Sequence, residues 1–158
     1  MRPSTCLPVS SPTLRAATWG CTSSTLGAVA NMGALSGGEE WLSQCLDYID
    51  GNHEFAVDYI KKKIPLIKAA KPQGTYLLWL DCTALAEKIG TKKLAADANA
   101  KRAFGMPEIK PEAILEKWFV QNAKVHMNAG NTYGKGGENH MRMNLGTSRK
   151  LIQLALDN

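Results

Sequence analysis

The sequence predicts an α/β chain in which four short strands are interleaved with amphipathic helices. Three observations carry this expectation. Thr75-Tyr-Leu-Leu-Trp-Leu80 is an apolar run of strand length. Trp41, Leu42, Cys45, Leu46 and Ile49 recur at helical spacing, as do Ile114, Leu115, Trp118 and Phe119. His140-Met-Arg-Met-Asn-Leu145 alternates polar with apolar residues, as a strand with one buried face does.

The elements follow in order. No acidic residue precedes Glu39, and residues 1–24 are expected to form a poorly ordered segment ahead of a folded region at 25–158. Ser36-Gly-Gly-Glu39 has the spacing of a capping box at a helix start. Gly51 is expected to close that helix, and Asn52 to cap a second one carrying Phe55, Tyr59 and Ile60. Lys61-Lys-Lys63 favours a helix C-terminus, and Pro65 stops continuation. The result is a long kinked helix pair broken at Gly51-Asn52.

Leu66 to Ala70 reads as a short strand and Pro72-Gln-Gly74 as a turn. The run from Thr75 to Leu80 lacks polar alternation, so it is expected to be central and covered on both faces. Residues 83–103 read as helix with a break at Gly90-Thr91. Pro111 suits the first turn of the next helix. Lys124 to Met127 is a predicted strand, Ala129 to Asn139 a loop, and His140 to Leu145 the last strand. Ser148 then caps a helix carrying Leu151, Ile152, Leu154 and Leu156.

Composition narrows the partners. The 158 residues hold 19 basic and 14 acidic side chains, and 44% are hydrophobic, as in an ordinary single domain. The basic clusters, Lys61–Lys63, Lys92-Lys93, Lys101-Arg102 and Arg149-Lys150, fall in different predicted elements, which argues against a nucleic-acid surface. Ala16 to Ser36 is uncharged but broken by glycines and hydroxyls, so no membrane span is expected. Cys6, Cys21, Cys45 and Cys82 show no metal-ligand spacing and read as thiols in a reducing, cytoplasmic setting.

One segment could carry chemistry. Alternation puts His140, Arg142 and Asn144 on one strand face and Met141, Met143 and Leu145 on the other. Arg142 alone reads first as a surface arginine and second as a carboxylate anchor, because its planar fork can grip both oxygens. Asn144 either orients it or is merely exposed. Gly130, Gly134, Gly136 and Gly137 read as a flexible loop or as positions of close approach. Tyr133 among them is a ligand wall or a loop anchor. His53 and His126 have no evident partner, and no metal site is expected.

Taken in order, several strings carry a family likeness. Gly-Gly-Glu-Glu-Trp-Leu42, Leu46-Asp-Tyr-Ile-Asp-Gly-Asn52, Gly74-Thr-Tyr-Leu-Leu-Trp-Leu-Asp81 and Arg142-Met-Asn144 before Thr147-Ser-Arg149 resemble the C-terminal part of class I/II aminotransferase-fold enzymes. The branch they resemble is that of cystathionine β-lyases, or C–S lyases of the MalY/PatB type, from about Thr25 to Leu156. The resemblance implies the α+β small domain of pyridoxal-phosphate (PLP) fold type I. Such a domain is a small mixed, largely antiparallel sheet of about four strands covered by helices. It also implies a substrate amino acid held by Arg142, with Tyr133 and Asn144 nearby. The implied partners are a large domain of the same enzyme and a homodimer of the full-length form, and the cofactor is PLP.

The implied reaction is β-elimination from a sulfur amino acid to thiol, pyruvate and ammonia. Transamination, and a module that kept the fold without the chemistry, are the alternatives. The family's cofactor-linking lysine lies in a Ser/Thr-rich stretch upstream of the Trp-Leu helix. Here no lysine precedes Glu39, and Lys150 lies on the far side of the arginine strand. The chain is therefore expected to hold no catalytic or cofactor-binding residue of its own and to be inactive alone.

Overall fold

The computed structural model describes residues 24–158, so the expectations for residues 1–23, Cys6 and Cys21 lie outside the described residues. The chain divides into two compact units between Leu46 and Asp47.

In the first unit, α1 (Thr25–Gly37) starts at Ser24, whose hydroxyl oxygen accepts from the Gly27 N–H at 3.1 Å. This cap satisfies one of the amides that a helix start leaves without a partner. Ser36 is not the start of a helix, as the capping-box spacing predicts, but the end of one. Its hydroxyl donates to the Met32 carbonyl at 2.7 Å, inside α1. The chain breaks at Gly38, whose N–H returns to the Ala34 carbonyl. A Cβ there would lie 2.5 Å from that oxygen, so glycine is required for the close turn. α1 carries no charged residue and buries none, and Leu26, Val29, Met32 and Leu35 are exposed. Trp41, Leu42 and Leu46 are exposed as well, so the apolar spacing here marks a helix face with no cover among the described residues.

The next helix, α2 (Glu39–Lys63), runs for 25 residues without interruption through Gly51 and Asn52. The expected break at that pair is absent, and the reason is tertiary. Asn52 is fully buried; its amide nitrogen donates to the Leu145 and Thr147 carbonyls at 3.0 and 2.9 Å. Its oxygen accepts from Arg149 Nε at 3.1 Å. A Cβ on Gly51 would meet Arg149 Nη2 at 2.7 Å, so the glycine makes room for the guanidinium that Asn52 holds. A capping residue and a helix breaker thus serve instead as a docking notch. Acids at the start of α2 and three lysines at its end suit the helix dipole.

Within the second unit, β1 (Lys68–Ala69), β2 (Leu77–Asp81), β3 (Asn128–Ala129) and β4 (His140–Asn144) form one sheet in the order β1-β2-β4-β3. Every pairing is antiparallel, and Leu78 faces Met143 while Leu80 faces Met141. α3 (Thr83–Ile89) and α4 (Thr91–Ala100) meet at Gly90, in left-handed conformation at φ 74°, as the Gly90-Thr91 break predicts. α5 (Pro111–Trp118) begins at its proline and runs into a π-helical turn at Phe119–Ala123. That turn consumes residues before Lys124, itself left-handed, and moves the predicted 124–127 strand on to Asn128–Ala129. The last helix, α6 (Arg149–Asp157), follows Ser148, whose side chain makes no cap; Tyr48 Oη accepts from the Arg149 N–H instead.

The core gathers Ala56 and Ile60 of α2, Leu78 and Leu80 of β2, Leu115 of α5, Met141 and Met143 of β4, and Ile152 of α6. β2 is an inner strand, as expected, yet only one of its faces is covered: Leu78 and Leu80 are buried while Trp79 is 38% exposed. The sheet is therefore half covered among the described residues.

Two stability measurements check this description. Asn52→Ala strips two buried carbonyls of their donor, and urea unfolding is expected to show a loss of about 2–3 kcal/mol. An unchanged midpoint would remove the amide from its central role. Asp81 Oδ1 accepts from the Thr83 N–H at 2.9 Å, and hydrogen bonding from Thr83 holds its carboxyl below the ordinary 3.8. A depressed folded pKa gives stabilisation that is complete above 3.8 and lost as pH falls through the folded value. Asp81→Asn should cost about 0.5–1 kcal/mol at pH 6, with the gap closing below pH 3.8.

Candidate functional site

The uncovered face of the sheet presents Leu77, Trp79 and Asp81 of β2 beside His140, Arg142 and Asn144 of β4. The alternation of β4 predicts its three residues; those of β2 follow from the register. Arg142 is at the centre. Its cross-strand neighbours are Trp79 on β2 and Asn128 on β3.

The guanidinium lies over the Tyr133 ring, with Cζ 4.4 Å from the ring centroid. Among the described residues it makes no ion pair and donates to no acceptor. A cation over a ring face is held there without using a hydrogen-bond acceptor, and the guanidinium N–H groups stay available to another partner. The adjoining cleft of about 310 Å³ is lined by Arg142, Asn144, Asn128, His126 and Tyr76 among others. An arginine in a polar cleft without a protein acceptor is suited to a carboxylate.

The other candidate residues have definite places. Asn144 Oδ1 accepts from the Gly146 N–H at 2.8 Å, so its oxygen shapes the turn after β4. Tyr133 ends a 3-10 turn, Gly130–Tyr133, and supports Arg142 from the loop. The glycines permit close approach rather than a loose hairpin. A Cβ on Gly130 would sit 2.5 Å from the Gly137 carbonyl, and Gly134 adopts φ 119°. His126 pairs with Glu116 at 3.0 Å, while buried His53 meets the Thr75 carbonyl at 3.1 Å. Trp79 and Asn128 lie beside the arginine but escaped the sequence reading. Trp79 was hidden inside an unbroken apolar run, and Asn128 lay one residue past a predicted strand.

Among the described residues, Cys82 and the acidic and histidine side chains form no second site. Burial pushes the Cys82 thiol up to about 12, which leaves it without thiolate at neutral pH. Among the described residues no cluster of three or more His, Cys, Asp or Glu could hold a metal, and no helix is long and apolar enough to cross a membrane.

The family model for aminotransferase class I and II matches residues 11–158. The chain belongs to this family. Among its relatives, a Mycobacterium leprae protein provisionally named cystathionine beta-lyase is 31% identical over 83% of this chain and 30% of its own length. Cystathionine beta-lyase PatB of Bacillus subtilis is 30% identical over 76% of this chain and 25% of its own length. Cystalysin of Treponema denticola, whose crystal structure contains pyridoxal 5'-phosphate, superposes with TM-score 0.65 at 27% identity, covering 92% of this chain and 32% of that one. The chain therefore spans about a third or less of the length of these relatives. The aminotransferase match begins 14 residues before Thr25, the point from which the sequence resemblance runs.

The described residues do not by themselves fit PLP. No lysine lines the Arg142 cleft, and the first lysine of the sequence is Lys61. The polar residues that the aminotransferase-family chain brings together in this cleft are Arg142, Asn144, Asn128, His126 and Tyr76.

Proposed function

We propose that this chain supplies the substrate-carboxylate side of a PLP-dependent enzyme, with Arg142 as the anchor. The observation that carries the reading is the Arg142 guanidinium, which lies over Tyr133, lines a polar cleft and bonds to no acceptor among the described residues. A two-pronged grip on a carboxylate fixes the position and the rotation of an amino acid at once. The cofactor would be bound by a large domain carrying the lysine, and the full-length form would be a homodimer. PLP would supply an electron sink for the bond broken at Cα.

The substrate class is a sulfur amino acid, cleaved to thiol, pyruvate and ammonia. The names of the M. leprae and B. subtilis relatives support this choice over transamination. Among the described residues Cys45 and Cys82 form no disulfide, which suits a reducing, cytoplasmic setting. A second reading, an assembly module that pairs with an intact homologue, is favoured by the absence of lysine from the cleft.

Two experiments test the proposal. The 158-residue chain, incubated with PLP and reduced with borohydride, should yield no single stoichiometric pyridoxyl-lysine on mass mapping. Such an adduct would place the cofactor chemistry in this chain. Joined to a lysine-bearing large domain, the chain should show C–S lyase activity. Arg142→Ala should then lower kcat/KM roughly ten- to hundredfold, through loss of a charge-assisted contact worth about 1.5–3 kcal/mol. An unchanged kcat/KM would remove Arg142 from substrate binding, and no turnover by the unmutated fusion would favour the module.

A further inference from the structure

We infer that Trp79, Tyr133 and Asn128 act together as positioning residues for Arg142, holding its guanidinium in place before any carboxylate arrives; this deepens the reading of Arg142 as the carboxylate anchor and rests on it. The three residues come from β2, the loop and β3, and they meet on the uncovered sheet face. The Trp79 indole and the Tyr133 ring are 5.9 Å apart, edge to face at 69°. Asn128 Nδ2 donates to the Tyr133 hydroxyl at 3.2 Å. Trp79 is steadied in turn by His140, stacked 5.8 Å away at 23°. His140 itself is tied through Nδ1 to the Glu138 carbonyl at 2.8 Å.

The loop beneath Tyr133 is fixed as well. Thr132 Oγ1 donates to the Ala129 carbonyl at 2.7 Å. The Gly130 and Gly137 backbones approach so closely that a Cβ on Gly137 would overlap the Gly130 carbonyl. The ring is therefore held at its edge by indole, at its hydroxyl by amide, and at its base by a tight loop. This arrangement matters because arginine is long and has many rotamers. Ordering it during binding would oppose association. A guanidinium already held over a fixed ring has fewer rotamers left to lose, and the carboxylate then meets a prepared group.

The hydroxyl of Tyr133 has a defined part in this scheme. A phenylalanine would keep the stack and lose the tie to β3. Tyr133→Phe is therefore the conservative variant that separates ring from anchor. Trp79→Leu and Asn128→Ala leave the ring in place and remove its supports.

The test is NMR of the Arg142 Nε–H in the 158-residue chain, with acetate and L-alanine as probes. The signal should be displaced by the Tyr133 ring current in the unmutated chain. It should revert in Tyr133→Leu and move part of the way in Tyr133→Phe, Trp79→Leu and Asn128→Ala. Each partial variant should weaken probe binding about two- to fivefold. Tyr133→Phe, which alters a single half-exposed hydroxyl, keeps the test open should a larger change unfold the chain. An Arg142 signal unmoved in all the supporting variants, or probe affinity equal across them, would overturn the positioning role. A displaced signal that responds to the variants but not to either probe would uphold the positioning and overturn the carboxylate reading. A signal that responds to the probes equally in every chain would do the reverse.

Discussion

Asn52 sits fully buried in the middle of a 25-residue helix, and its amide ties together segments nearly a hundred residues apart in sequence. Two of its bonds go to the carbonyls of Leu145 and Thr147, immediately after β4, and the third comes from Arg149 at the head of α6. The exit of β4 is thus clamped to α2, and with it the register that puts Arg142 between Trp79 and Asn128. A buried amide is costly unless its groups are paired, so the same burial that makes Asn52 effective makes it intolerant of change. Gly51 is part of the same device, because a larger residue would occupy the space of the Arg149 guanidinium.

What was legible in the sequence follows from this. Periodicity reports which faces are apolar, and it placed β4, α5 and the Gly90 break correctly because local patterning and burial agree there. Gly51-Asn52 misled for the opposite reason. The pair has the chemistry of a helix end, and only a residue from the far end of the chain explains why it is a helix interior. Arg149 likewise looks like one of several scattered surface cations, and it is exposed, yet its Nε donates to the buried Asn52. The π-helical turn at Phe119–Ala123 has no local signature and displaced β3 beyond its predicted residues.

The site was half legible. Alternation placed Arg142 on the polar face of β4, and the glycines around Tyr133 marked a loop of unusual backbone. Contact between arginine and tyrosine could not be read from spacing, since it depends on the 3-10 turn folding the loop back over the strand. The unbroken apolar run of β2 concealed that Trp79 faces away from the core. An apolar strand without alternation implies cover on both faces, and the described residues provide it on one. The aminotransferase-family relatives are about three times as long as this chain.

β1 and β3 are each two residues long, so the sheet is bordered by stubs rather than by continuous ladders. Strand addition by a foreign chain needs a row of unpaired backbone donors and acceptors, and stubs of this length supply almost none. The sheet can thus keep an open, aromatic-bearing face while offering little purchase for the edge-to-edge growth that turns exposed sheets into fibrils. What stays open at each border is a few residues of the inner strands, Leu77 to Trp79 on the β1 side and Met143 and Asn144 on the β3 side, too short a row for a foreign strand to follow.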